Sequence, residues 1–454
     1  MKGIKGSFGS FSDKLVSCKA WNGGIVAGTF EGGLEIWKGG SCTKTVKLHS
    51  GSLDSICILD SGCLLTGGKD SKIHFLKNDL SVSWTIVLDE ILLDGLLNRV
   101  RAITLSKDQK QMIVGTFASE IYSLTLKNGK FTDKVSQIDV VSELIMSGHF
   151  ARNAQWTNEV WGLFSLNEEI YVTCSDDGTL RMWSAAKRKL LKQLELNIDS
   201  KGAKLPLDKT TNDLVESAKL RAVTVCQEKK HLAVGCKEGT LRIVDIESWK
   251  QIILKKNRKE WISELRYSPD NKTLAVGSHD NTIELMDVLS NYKTKAKLSK
   301  HSSFITHLDW SQDSSYLHSN CGAYELLFWD ANSGKQITSG ASALKDEDWA
   351  TWSCVLGWPV QGIFQPEWDG SDINMVDRSN TKLNGDCRVI ACSDDFSTIR
   401  LYNYPCLRKS AKPIILKGHS SHVTNIKFSS DDGYLYSTGG EDQTVFQWKI
   451  LKNN

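Results

Sequence analysis

Hydrophobic and polar residues alternate in short runs along most of the chain, the period of two expected of half-buried β-strands rather than helices. The runs are ordered the same way each time. An alternating apolar strand is followed by a polar turn, then by a strand of small residues ending in Gly or Ser, then by an Asp or Gly turn, and last by a strand closing on Trp or another large apolar residue. The unit recurs roughly every 40 to 60 residues, and self-similarity at that spacing is the signature of propeller blades. Nine copies are predicted, centred on 25–37, 64–76, 113–124, 172–183, 232–245, 274–287, 317–329 and 391–402, with the fullest copy at 418–450.

The expected fold is therefore all-β, a repeat-built propeller of four-stranded sheets. Nine blades exceed the roughly four to eight that close one ring. Residues 91–454 are assigned to a complete seven-bladed ring, and residues 1–90 to two blades of a preceding, incomplete propeller. Two blades cannot cover both of their sheet faces, so the missing ones are expected from a longer polypeptide or from a second chain.

Three stretches break the pattern. Residues 128–156 read as an insertion or a long strand pair, and 194–218 as an exposed polar loop. Residues 341–386 interleave Trp349, Trp352, Trp358 and Trp368 with Gly and Pro, which predicts packed structure at an elaborated blade start.

Inside the last copy, His419, Ser437 or Thr438, Asp442 and Trp448 are residue types able to form a buried hydrogen-bonded chain across a blade. Asp176 and Asp280 occupy the same turn in other copies, and Trp183 the same strand end. Because these groups recur with the repeat, they are predicted to be internal fasteners rather than metal ligands or an acid/base pair. The paired carboxylates Asp176-Asp177 and Asp394-Asp395 lie in the same turns. No phosphate loop, nucleophile elbow or zinc-protease motif occurs, so neither an enzymatic activity nor a cofactor is expected.

Composition narrows the partners. The chain of 454 residues carries 56 Lys and Arg against 53 Asp and Glu, a net charge of +3. That is too small for attachment to nucleic acid by bulk charge. Twelve cysteines are scattered without C-x-x-C pairs, several of them in apolar runs, and reduced thiols are expected. The start of the chain lacks the apolar core of a signal peptide, and no run is long enough for a membrane helix. Six prolines against 35 glycines and 15 tryptophans suit tight turns between short strands.

The segment DEDWATWSCVLGWPVQGIFQPEWDGSDINMVDRS, at 346–379, resembles the corresponding stretch of the echinoderm microtubule-associated protein-like family. The run ACSDDFSTIRLYNYPC and the following GHSSHVTNIKF are similar in the same order, as are LLTGGKDSKI from Leu64, LAVGSHDNTIELMDV from Leu274 and HSSFITHLDWS from His301. The likeness covers nearly the whole chain, and the Asp-Gly-Ser-Asp-Ile-Asn insertion at 369–374 makes it specific. It implies a tandem WD-repeat propeller protein that binds tubulin and associates with microtubules in the cytoplasm, spindle or cilium. That family's short hydrophobic motif and N-terminal coiled coil have no counterpart in this sequence.

Given that resemblance, basic patches are candidate contacts for acidic tubulin. Four clusters follow the last strand-like run of one blade and precede the next, and are expected on connecting loops: Lys187, Arg188, Lys189 and Lys192; Lys255, Lys256, Arg258 and Lys259; Lys293, Lys295, Lys297 and Lys300; and Arg408, Lys409, Lys412 and Lys417. Each also reads as a solvated loop, and the tryptophan-rich insertion is a rival surface. A general WD-repeat adaptor, scaffolding a transport or ubiquitin-ligation complex, is the alternative function.

Overall fold

The computed structural model describes residues 13–451, apart from 94, 96, 134, 151–158, 197–217, 257, 366–371, 384–386 and 410. Most of the polar loop expected at 194–218, along with Trp368 and residues 369–371 of the insertion, lies outside the described residues. Among the described residues, no helix is long and apolar enough to cross a membrane.

Nine antiparallel sheets follow one another along the chain, at 15–47, 53–87, 100–147, 160–195, 220–256, 262–298, 305–336, 373–417 and 423–449. Eight have four strands and the last has three. Eight of the predicted copies fall on the second and third strands of one sheet, and 418–450 covers all three strands of the last, so the chain is an all-β protein of WD-type blades.

The small residues closing each second strand have a steric cause. A Cβ added to Gly235 would lie 2.4 Å from Cγ2 of Ile262, and one added to Gly277 would lie 2.8 Å from Cγ2 of Ile305. Gly67 meets Cγ1 of Val100 at 2.4 Å in the same way. In each case the neighbour is the first residue of the next sheet's innermost strand, so a larger side chain would push adjacent sheets apart.

The sheets form two compact units, 1–152 and 153–454. In the first unit, the innermost strands Leu15–Trp21, Leu53–Ile58 and Val100–Leu105 lie side by side. Trp84 stacks on Phe75 at 5.4 Å and donates from Nε1 to the carbonyl of Phe131 at 3.1 Å, while the amide of Ile103 donates to Ser55 Oγ at 3.0 Å. The third sheet thus shares a core with the second. This moves the division of the chain from residue 90 to residue 152. Periodicity alone could not place it, because every sheet repeats the same pattern whichever unit it joins.

In the second unit the sheets run from 160–195 to 423–449 and close on themselves, with Val423–Phe428 lying beside Val160–Ser165. Thr424 Oγ1 donates to the carbonyl of Val160, and Asn425 Nδ2 donates to that of Trp161 at 2.9 Å. Among the described residues this ring has six sheets rather than seven. The innermost strands adjoin all the way round except between the seventh and eighth sheets, where residues 349–356 run instead. Asp309 anchors that segment by accepting from the amides of Ser353 at 2.8 Å and Cys354 at 3.0 Å, and Arg378 Nη2 from the other side donates to the carbonyl of Trp349 at 2.6 Å. Trp349 stacks on His318 at 3.9 Å, and both Trp349 and Trp352 are buried in the core there. Trp358 is exposed.

All nine innermost strands share one more irregularity. The register slips around the second residue of each, leaving it opposite no partner: Val16, Asp54, Arg101, Trp161, Arg221, Ser263, Thr306, Asn374 and Thr424. A bulge of this kind bends the strand and re-aims the extra side chain.

Candidate functional site

The predicted blade residues hold the sheets together from inside. In the ninth sheet, His419 Nδ1 lies 3.0 Å from Asp442 Oδ2 and His419 Nε2 lies 2.8 Å from Ser437 Oγ, which also accepts from Trp448 Nε1 at 2.9 Å. Burial opposes ionisation of Asp442, yet the hydrogen bonds from His419, Ser420 and Thr444 overcome it and hold the carboxyl at about 2. The seventh sheet repeats the arrangement with His301, Ser319 and Trp329, but Glu325 replaces the aspartate. The second sheet uses His49, Thr66 and Asp70. Trp183 in the fourth sheet donates to Thr173 Oγ1 at 2.8 Å.

Two of the chosen residues have other roles. Asp177, not Asp176, holds the turn of the fourth sheet, accepting from the amide of Thr179 at 2.8 Å and its hydroxyl at 2.7 Å. Arg258, assigned to a basic surface patch, is only 6% exposed. It stands where the histidine does in the sheets above, with Nη1 2.6 Å from Asp280 Oδ2 and Nη2 3.1 Å from Glu284 Oε2. A lysine-rich neighbourhood disguised this residue in the sequence.

The remaining basic residues do not form one patch. Lys187, Arg188 and Lys189 lie exposed where the third strand turns into the outer strand of the fourth sheet, and Arg408 and Lys409 lie at the equivalent connection of the eighth. Lys255, Lys256 and Lys259 sit at the opposite end, where the outer strand of the fifth sheet leads to the next sheet. Lys293, Lys295 and Lys297 are on the outer strand Lys293–Leu298 itself. Lys192 is half-buried, donating to the carbonyls of Ile246 and Glu247, and Lys255 donates to that of Tyr292. Outer strands are open edges, and lysines along them block pairing with another strand.

The mouth of the second unit's ring is not among the sites expected from the sequence. Innermost strands begin, and second strands end, on the same face, so the six bulged residues Trp161, Arg221, Ser263, Thr306, Asn374 and Thr424 gather there around a cavity of about 380 Å³. Three of the six are tied down. Ser263 Oγ donates to the carbonyl of Ile305 at 2.6 Å, Asn374 Nδ2 to that of Val423 at 3.1 Å, and Thr424 to that of Val160, each bond joining one sheet to the next.

Trp161 and Arg221 build a stack instead. The Arg221 guanidinium lies 4.3 Å from the ring of Trp161 and 4.6 Å from that of Trp261. His279 continues it, 4.7 Å from Trp261 and 4.6 Å from Phe304. Gly322 leaves room for the last ring, since a Cβ there would lie 2.5 Å from it. Burial lowers the pKa of His279, so the imidazole stacks as a neutral ring at pH 7. Arg221, 8% exposed, pairs through Nη2 with Asp176 Oδ2 at 2.8 Å. Its Nε and Nη1, and Nε1 of Trp161, have no hydrogen-bond acceptor among the described residues. Burial, opposed by Arg221, pushes the Asp176 carboxyl up to about 6. Burial and repulsion from Arg221 and Lys219 lower the pKa of Lys237, whose ammonium sits 4.3 Å from the ring of Trp261.

Three side-chain groups have metal-like composition: His49, Asp70 and His74; His301, Cys321 and Glu325; and Asp309, His318 and Cys354. The first two coincide with blade fasteners. Every ring nitrogen of His49, His74 and His301 already has a hydrogen-bond partner, so a metal there would have to displace one.

The family model for the second β-propeller of echinoderm microtubule-associated proteins matches residues 160–450, beginning on the first strand of the closed ring. Echinoderm microtubule-associated protein-like 4 of Xenopus laevis is 34% identical over 472 residues, covering 99% of this chain and 46% of that protein. The Homo sapiens protein of the same name is 33% identical, covering 99% of this chain and 43% of its own length. Echinoderm microtubule-associated protein-like 1 of Homo sapiens is 32% identical, with 96% and 49% covered. The chain spans about half the length of the curated relatives it matches. None of these names denotes an enzyme.

Proposed function

The chain belongs to the echinoderm microtubule-associated protein-like family, and from that premise we propose that it is a non-enzymatic microtubule-associated protein that binds tubulin through the rigid exterior of its propeller. The observation that carries this reading is identity of about one third to relatives named for microtubule association, sustained over 99% of the chain. The fold supports it, because its buried polar groups serve to join strands and sheets and leave the surface to make contacts. A cytoplasmic, cytoskeletal location follows from the same reading.

Co-sedimentation with taxol-stabilised microtubules tests it. The chain should pellet with polymer and remain in solution without it, and raising the salt should weaken the interaction if exposed lysines contribute. Equal amounts in the pellet with and without polymer, together with no binding to soluble tubulin, would refute the proposal.

We further infer that the first unit is completed by additional blades, from its own polypeptide or a second chain, since Leu15, Val16 and Ile25 in its first sheet are exposed apolar residues. Limited proteolysis of the whole chain should then degrade residues 13–147 before 160–449. Equal resistance of the two would contradict this.

A further inference from the structure

The mouth of the second unit's ring gathers unsatisfied donors and aromatic rings around one opening. Its wall has N–H groups without acceptors, on Trp161 and on the nearly buried Arg221. Its rim carries charges of both signs, with Asp176 and Glu159 both acting on Lys237. Asp176 answers Arg221, and Glu159 lies 3.9 Å from His422, but neither Lys219 nor Lys237 forms an ion pair among the described residues. Beside this rim runs a strip of rings, with Phe304 and Tyr324 exposed at 40% and 55%.

We propose that this mouth is a docking site for an extended acidic segment of a partner protein, one of whose large apolar side chains enters the cavity beside the stack of Trp261, His279 and Phe304 while a neighbouring carboxylate lies against Lys237. The inference goes beyond microtubule association, and its test contains no tubulin, so either can fail without the other.

Shape, chemistry and charge each support it. The cavity of about 380 Å³ is within the roughly 300–1,000 Å³ range of small-ligand sites, which accommodates one large side chain and some flanking backbone. From Trp161 to Phe304 the strip advances in four contacts of 4.3, 4.6, 4.7 and 4.6 Å, a length that about five residues of extended chain would match. Flat, rigid rings bury large area at low entropic cost, which is why aromatic residues dominate binding hot spots. A carboxylate is the group that an unpaired ammonium and acceptor-poor N–H groups would select, and a basic partner would meet Lys219, Arg221 and Lys237 as like charges.

The test is a fluorescence-anisotropy titration of the full chain with a labelled Glu-Glu-Phe-Glu-Glu peptide, against Lys-Lys-Phe-Lys-Lys and Glu-Glu-Gly-Glu-Glu controls. The acidic phenylalanine peptide should saturate and bind at least about tenfold more tightly than either control. Phe304→Ala and Lys237→Glu should each weaken it about tenfold, the size of one hot-spot contact, whereas Lys187→Glu on the opposite face should leave it unchanged. Gly322→Val, which forces the Phe304 ring to move without altering it, supplies an independent variant and should also weaken binding. The proposal is overturned if the acidic phenylalanine peptide binds no more tightly than its controls, or if Phe304→Ala and Lys237→Glu bind it as the unmodified chain does.

Discussion

The interior of the ninth sheet and the mouth of the ring use similar residues to opposite ends. In the sheet, the ring nitrogens of His419, the hydroxyl of Ser437, the carboxylate of Asp442 and the indole N–H of Trp448 are mutually bonded. At the mouth, Arg221 and Asp176 pair across two sheets, but part of the guanidinium and the indole N–H of Trp161 find no acceptor. The first arrangement completes itself and fixes the fold. The second is left to be completed by something else, and the difference arises from strand position, because the fastener residues lie in turns and paired strands while Trp161 and Arg221 lie on bulges.

The comparison can be broken most severely at Arg258, which pairs with Asp280 and Glu284 inside one sheet. Arg258→Ala should destabilise the second unit by about 3–5 kcal/mol in chemical denaturation, since it strands Asp280 and Glu284 without their cation. Arg258→His should recover part of that loss by recreating the fastener of the ninth sheet, and a loss below about 1 kcal/mol for the alanine variant would mean that the ion pairs hold nothing together.

The two aspartates should next separate by the sign of their pH dependence. Asp442 is held at about 2 against an ordinary 3.8, so its contribution is complete above pH 3.8 and is lost as pH falls from there toward 2. Asp176 is raised to about 6, so the folded chain keeps a proton that the unfolded chain releases near 3.8, and stability should fall as pH rises between those values. Thermal melts across pH 2–7 should show a shallower acid limb in Asp442→Asn and a smaller decline between pH 4 and 6 in Asp176→Asn. Parallel curves for both variants and the parent chain would remove the distinction.

A matched substitution sharpens the contrast further. Trp448→Phe should cost about 1 kcal/mol, because its N–H donates to the buried Ser437. Trp161→Phe keeps a ring over Arg221 and loses no hydrogen bond, so it should cost less than about 0.5 kcal/mol. Equal costs would show that the two tryptophans are equivalent. The smallest effect is expected at the end of the fifth sheet's outer strand, where Lys256→Glu should change stability by no more than about 0.5 kcal/mol.

What could be read from the sequence divides along the same line. All nine sheets were legible, since each repeats a period of two and closes its second strand on small residues. The fastener of the ninth sheet was legible because its residues recur at matching places in other copies. Arg258 was not, because the residue doing the histidine's work sits among lysines that imitate a surface run. Asp176 and Asp177 could not be told apart, since only the fold shows which of two adjacent carboxylates turns back to Thr179. The mouth left no trace in the pattern. Its six residues are Trp, Arg, Ser, Thr, Asn and Thr at equivalent positions, and a search for repetition passes over a place where the copies disagree. Nor could the pattern show that residues 349–356 interrupt the ring, because Asp309 and Arg378, which hold them, are charged residues inside strands.

The recurring bulge has a consequence for how such a protein can change. A residue with no partner opposite it can be exchanged without shifting the hydrogen-bonding register on either side. In the ring six such residues face the same opening, and those not committed to joining one sheet to the next, Trp161 and Thr306, are open to replacement while the architecture stays constant. Selection can alter what the opening accepts by exchanging those few side chains, leaving the scaffold that presents them untouched.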